Sequence, residues 1–195
     1  MVVQVVNALN KTRPVRKLPD SALHVHPDAW LPELATKRFR WRADKDESGA
    51  PVVNGARHKD GLLKLDFKAA PGKVRYHIPC HGRVRKIGKK TEEVFKLIGQ
   101  TVAVRINTVE RCSGHAGTYG VKTAYFDNAM KIGKPVFKAM AKDEPDDISA
   151  DCALAGHHIA QGMARNALQG ADQAANQTAK LAHPLSLIRI AYGLE

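Results

Sequence analysis

The sequence predicts an α/β domain, a small parallel sheet with flanking helices, preceded by a poorly ordered N-terminal extension. Three observations lead there. From about Arg57 onward, short β-branched runs alternate with longer stretches of helical character, the pattern of strands joined by crossover helices. Before that point the chain is broken by Pro14, Pro19, Pro27, Pro32 and Pro51, and the polar run 43–49 has no apolar period. The 195 residues are 44% hydrophobic, enough for one ordinary core or a modest domain with an appendage. The chain therefore divides into an extension of unclear structure, 1–56, and a folded part, 57–195.

Within the extension only two segments carry a pattern. Val2 to Val6 is apolar and suits a short strand, and Asp28 to Lys37 suits a helix around Trp30, Leu31 and Leu34. In the folded part, Val74 to Pro79 reads as the first strand. Lys89 to Leu97 follows as a helix, with Val94, Leu97 and Ile98 on one side. Val102 to Val109 alternates with period two and is rich in β-branched residues, so it reads as a second strand. Lys122 to Ala141 is helical, with Gly133 and Pro135 predicting a kink or restart. Asp147 to Ala150 supplies a short third strand. The Ala-rich run from His158 to Leu181 then predicts a helix weakened by Gly162 and Gly170. Pro184 starts a final apolar helix, Leu185 to Tyr192, which Gly193 caps.

Composition narrows the function classes. No apolar stretch approaches the roughly 20 residues that cross a bilayer, and the start lacks the pattern of a signal peptide, so the expected location is the cytoplasm. Three widely spaced cysteines fit that compartment better than a secreted disulfide framework, which is dense and even in number. The net charge of +12, from 31 Lys and Arg against 19 Asp and Glu, raises nucleic acid and other polyanions as partners. Yet the basic runs, 37–42 and 83–90, lack the interleaved aromatics that stack on bases, and no zinc-finger spacing is present. Specific nucleic-acid binding is not expected.

The cysteines carry the site. On this reading Cys80, Cys112 and Cys152 each fall at or just past the carboxyl end of a predicted strand. In an open parallel sheet the loops leaving those ends converge on one edge, where ligands bind. Each loop also feeds a helix, whose N-terminal amides favour thiolate over thiol and hence metal ligation. Cys112 opens the run Cys-Ser-Gly-His-Ala-Gly-Thr-Tyr-Gly, in which Gly114 and Gly117 permit tight turns and close approach of the backbone to a bound group. This is neither the dinucleotide fingerprint nor a phosphate loop, which would need a different glycine spacing or a Lys followed by a hydroxyl residue. His81, His115, His157 and His158 gather at the same loops, and His115, three past Cys112, is the candidate fourth ligand. A buried structural thiol or a hydrogen-bonded histidine is the plainer reading of any one of them.

The segments Ile78-Pro-Cys-His81, Arg111-Cys-Ser-Gly-His-Ala-Gly-Thr-Tyr-Gly-Val-Lys122 and Asp151-Cys-Ala-Leu-Ala-Gly-His-His158 resemble the cysteine-rich CCG domain of iron-sulfur oxidoreductases. That domain occurs in heterodisulfide reductases and in the electron-transfer component of anaerobic glycerol-3-phosphate dehydrogenase. Further similarity lies in Met130 to Phe137 and in the ending His183-Pro-Leu, so the resemblance covers roughly 57–195. The family pattern is a lone cysteine, a Cys-Cys-Gly and a Cys-x-x-Cys. Here Ser113 and Ala155 stand where the second cysteine of each pair would be, so two of five sulfur ligands are missing.

The resemblance implies an iron-sulfur cluster, noncubane in some members of the family, and three thiols imply a simpler one. The candidates are a 4Fe-4S cluster completed by His115 or an exogenous ligand, a smaller cluster, or a zinc site of three cysteines and a histidine. It also implies an electron-transfer module that works with a redox partner protein or a dehydrogenase subunit and meets a membrane only through that partner. Upstream cluster domains of the family do not appear in this sequence, which reads as a shortened gene product or an altered start. Three rivals have different chemistry. They are a degenerate or zinc-structural interaction module, a thiol enzyme with Cys112 as nucleophile and His115 as base, and polyanion binding by the basic N-terminal part. No Ser-His-Asp set or paired carboxylates occur at motif spacing, and Asp146, Asp147 and Asp151 read as turn and cap residues.

Overall fold

The computed structural model describes residues 7–8, 11–12, 24–32, 64–84, 89–168 and 179–194. Its elements, in chain order, are β1 (Lys73–His77), α1 (Cys80–Val84), α2 (Lys90–Thr101), β2 (Arg105–Val109), a 3-10 turn at Tyr119–Val121, α3 (Thr123–Ala141), β3 (Asp147–Ala150), α4 (Ala153–Leu168), β4 (Lys180–Leu181) and α5 (Pro184–Ala191). The predicted α/β class is the observed one. The strands form a four-stranded sheet in the order β2-β1-β3-β4, and all three pairings are parallel.

Local chemistry explains the elements. In β1 the alternation of Val74 and Tyr76 with Arg75 and His77 assigns two residues to each face of the sheet. Glu92 and Glu93 occupy the first turn of α2, where they complement the positive helix end, and Glu92 pairs with Lys96 one turn on at 2.9 Å. At the start of α5, Pro184 takes a position whose amide would have no partner, and the His183 ring accepts the Leu185 amide at 3.2 Å. Gly193, at φ +71°, then ends it in the left-handed conformation.

The sheet separates two apolar layers. Val74, Tyr76 and Ile78 face Phe95 and Ile98 of α2 and Leu187 of α5. On the opposite side Ile148 packs with Phe126, Met130 and Phe137 of α3 and with Ile159 of α4. This arrangement follows from the strand order. Crossovers between parallel strands are right-handed, so the step from β1 outward to β2 puts α2 on one face, and the reversed steps to β3 and β4 put α3 and α4 on the other. The sense in which the chain winds across the sheet thus changes between β1 and β3, and in open parallel sheets it is at the carboxyl ends beside such a switch point that ligands bind.

Several sequence expectations change in detail. The second strand begins at Arg105 rather than Val102, because the Val102 amide bonds to the Ile98 carbonyl and closes α2. α3 runs from Thr123 through Ala141 without restarting; Pro135 lies on its exposed side, where water can satisfy the carbonyl that proline leaves unbonded. The helix expected from His158 to Leu181 starts earlier, at Ala153. Its predicted end is a strand instead, since Lys180 and Leu181 pair with Asp147 and Ile148. The intervening 169–178 lie outside the described residues, as do Val2 to Val6 and the second half of the expected 28–37 helix, 33–37; residues 28–32 form a turn and an irregular stretch, not a helix.

That part of the extension is nonetheless built onto the domain. Val25 bridges Lys122 in antiparallel fashion, the Thr123 amide bonds to His24, and Gln161 donates to the Asp28 carbonyl. Ala29 is only 2% exposed among the α3 and α4 side chains. The His26 ring stacks on Phe126 at 3.9 Å and Trp30 on His157 at 3.7 Å. Among the described residues no helix is long and apolar enough to cross a membrane.

Candidate metal centre at the carboxyl edge of the sheet

Each cysteine follows a different one of three adjacent strands. Cys80 is the first residue of α1, three past His77 of β1; Cys112 lies three past Val109 of β2; Cys152 lies two past Ala150 of β3. His77 is the register partner of both Val109 and Ala150, so the three chains leave the sheet side by side. None of the three cysteines is in a disulfide; Cys112 is exposed, and Cys80 and Cys152 are half-buried.

The Cys112 loop is held from below. The Gly114 amide donates to the Cys112 sulfur at 3.4 Å. Gly114 adopts φ +83°, and a side chain there would collide with the Ala129 carbonyl of α3 and lie 3.0 Å from the Gly133 amide. From the α3 side, a side chain on Gly133 would come within 2.5 Å of the Ser113 carbonyl. Gly133, expected to kink its helix, is therefore a point of close approach between loop and helix. Gly117 differs, since at φ +64° the place of its missing side chain has no atom within 4 Å.

His115 does not point to solvent: it is 6% exposed and meets His158 edge-on, with ring centroids 5.3 Å apart. Burial lowers its pKa, so the ring is neutral at pH 7 and keeps a lone pair. The His158 pKa is pushed down to about 4, mainly by burial and further by His115, against the opposing effect of its bond to the Ala129 carbonyl. Its Nε2 is buried without a hydrogen-bond partner among the described residues. His157 stacks on Trp30 and His81 is exposed.

Residues to which the sequence analysis gave no role at the site, Asp151 among them as a turn or cap residue, organise the same edge. Asp151, which directly precedes Cys152, accepts the Tyr76 hydroxyl at 2.5 Å and the Thr91 hydroxyl at 2.7 Å. His77 is fully buried, with Nε2 2.8 Å from the Arg111 carbonyl; because a carbonyl only accepts, that nitrogen carries the proton. For Tyr76, His77, Arg111 and Asp151 the available signal was adjacency, as each lies within four residues of a cysteine; Thr91, eleven past Cys80, carried no such signal. Donor chemistry at this edge suits a soft metal or an iron-sulfur group, with three sulfurs and a neutral imidazole at hand. Among the described residues, however, no three His, Cys, Asp or Glu side chains already converge as a ligand set.

Comparison with known proteins agrees with this arrangement. Residues 74–160 match the family described as the cysteine-rich domain, CCG. The chain is 33% identical over 89 residues to one of the subunits that make up the anaerobic glycerol-3-phosphate dehydrogenase of Escherichia coli, a stretch covering 45% of this chain and 22% of that protein. It is 32% identical over 106 residues to an uncharacterised iron-sulfur protein of Methanocaldococcus jannaschii, covering 54% of this chain and 20% of that one. The similarity thus spans about a fifth of the length of these relatives. No solved structure matches the chain. Residues 74–160, which run from β1 into α4 and hold all three cysteines, are therefore a cysteine-rich domain of the CCG type.

Proposed function

We propose that this domain is an iron-sulfur electron-transfer module of an oxidoreductase, in which Cys80, Cys112 and Cys152 hold the cluster and His115 or an exogenous group completes it. The observation that carries the reading is the exit of the three thiols from three neighbouring parallel strands on one edge. The names of the matched relatives, a dehydrogenase subunit and an iron-sulfur protein, support the same chemistry. When bound, such a cluster supplies transfer of single electrons at a potential set by its surroundings.

The chain's own residues have definable tasks. The Gly114 amide donates a hydrogen bond to the Cys112 sulfur, and neutral His115 offers a nitrogen donor without first losing a proton. Exposed Cys112 gives the site a short route to a partner surface, and that partner is a redox protein or dehydrogenase subunit. Gly114 serves the site by letting the Cys112 loop lie on α3, and Gly117 keeps the outer part of the loop open for approach to a bound group.

A second reading, a zinc-bound or metal-free interaction module without redox activity, draws on Ser113 and Ala155. Both are buried, and both stand where the resembling pattern has sulfur. Anaerobic purification with iron, zinc and acid-labile sulfide analysis separates the two. Iron with sulfide and a broad visible absorption, lost in Cys112→Ser, is the expected result. Zinc alone, or neither metal in folded protein, would replace the electron-transfer reading with the second one.

A further inference from the structure

We infer that β1 and α2, the elements flanking Cys80 in the chain, form a frame that positions the other two cysteine loops, with Asp151 as the positioning residue for Cys152. The two loops are tied to this frame in parallel ways. Toward Cys152, Tyr76 of β1 and Thr91 of α2 each donate a hydroxyl to a different oxygen of Asp151, at 2.5 and 2.7 Å. Toward Cys112, His77 of β1 donates to the Arg111 carbonyl at 2.8 Å, and Lys89, just before α2, pairs with Glu110 at 2.8 Å. Consecutive β1 residues thus reach opposite sides of the sheet and hold one loop each.

The ties differ in strength. Lys89 and Glu110 are both well exposed, so their ion pair is weak. Hydrogen bonds from hydroxyls to a carboxylate are charge-assisted and short, and here one donor, Tyr76, is itself locked in the core at 1% exposure. Fixing the carboxylate also fixes the start of α4. The next residue, Cys152, uses its carbonyl to accept the Gly156 amide at 2.9 Å, the opening bond of that helix. A carboxylate next to Cys152 further places a negative charge beside the proposed cluster, and this consequence alone rests on the electron-transfer reading.

Thr91→Val and Asp151→Asn test the frame without disturbing the core. In metal-free, reduced full-length protein, each is expected to lower hydrogen-exchange protection of the Gly156 amide by roughly tenfold, the scale of one charge-assisted bond. Alkylation of Cys152 by iodoacetamide should speed up in the same variants. The Ala182 amide, which bonds to Ile148 at 2.9 Å elsewhere on the sheet, should keep its protection. In iron-loaded protein, Asp151→Asn should raise the midpoint potential, because removing a negative charge favours the reduced state, and Thr91→Val, which keeps that charge and removes a donor to it, should not raise it. Unchanged Gly156 protection and Cys152 reactivity would overturn the proposal, and so would an equal loss of protection at Ala182. A wild-type chain that takes up no iron would instead sink the electron-transfer reading, and the metal-free readouts would still decide the frame.

Discussion

Gly114 and Gly117 share a loop and a positive φ but differ in what surrounds them, and substituting each by alanine separates backbone strain from crowding. At Gly117 the added methyl meets nothing within 4 Å, so the cost is that of holding an L-residue in the left-handed region, about 1 kcal/mol. At Gly114 the same strain applies, and the methyl also drives into the Ala129 carbonyl beside the Gly133 amide, both of them helix backbone with no side chain to swing aside. Overpacking of that kind adds about 2 kcal/mol, for a total of roughly 3 kcal/mol. Urea denaturation of reduced, metal-free protein, with the m value as a check that the unfolding transition is unchanged, measures both. Gly114→Ala should also quicken alkylation of Cys112, because the loop must lift from α3. Equal losses in the two variants, within about 0.5 kcal/mol, would refute the close approach of loop and helix.

Acid should destabilise the domain through its buried histidines. The folded pKa of His158, about 4, lies below the ordinary value of 6.5, so its contribution is fully present above pH 6.5 and is lost as pH falls toward 4. The loss amounts to about 3 kcal/mol, with His115 and His157 acting in the same direction, and denaturation midpoints from pH 7 to 4 should show a slope that His158→Gln reduces by about one proton. A slope unchanged by that substitution would mean that His158 is protonated in the fold. Trp30→Ala should lower stability by about 2 kcal/mol in the same urea assay, since the ring stacks on His157 at the face where Ala29 is buried. No loss in that variant would show that residues 24–32 do not dock in solution.

Much of the fold was legible because its signals are local. The alternation in Val74 to His77 and in Asp147 to Ala150, and the proline and glycine around Leu185 to Tyr192, express backbone preferences that act within a few residues. The positions of Cys80, Cys112 and Cys152 relative to the strand ends were legible for the same reason. β4 was not: two residues, Lys180 and Leu181, carry no period of their own, and only pairing with Asp147 and Ile148 makes them a strand. Nor was the docking of residues 24–32, whose prolines do forbid regular structure but not the burial of Ala29 or the stacking of Trp30.

By itself, then, the sequence determined the α/β class, the placement of three thiols just beyond three strands, and the likeness to cysteine-rich domains, since each depends on residues close together in the chain. Tertiary structure alone decided that β1 lies between β2 and β3, that Gly133 receives the Cys112 loop, and that Tyr76 and Thr91 meet at Asp151. Those are contacts between residues tens of positions apart. Their energy depends on how two apolar layers close around the sheet, and no short window of sequence contains it.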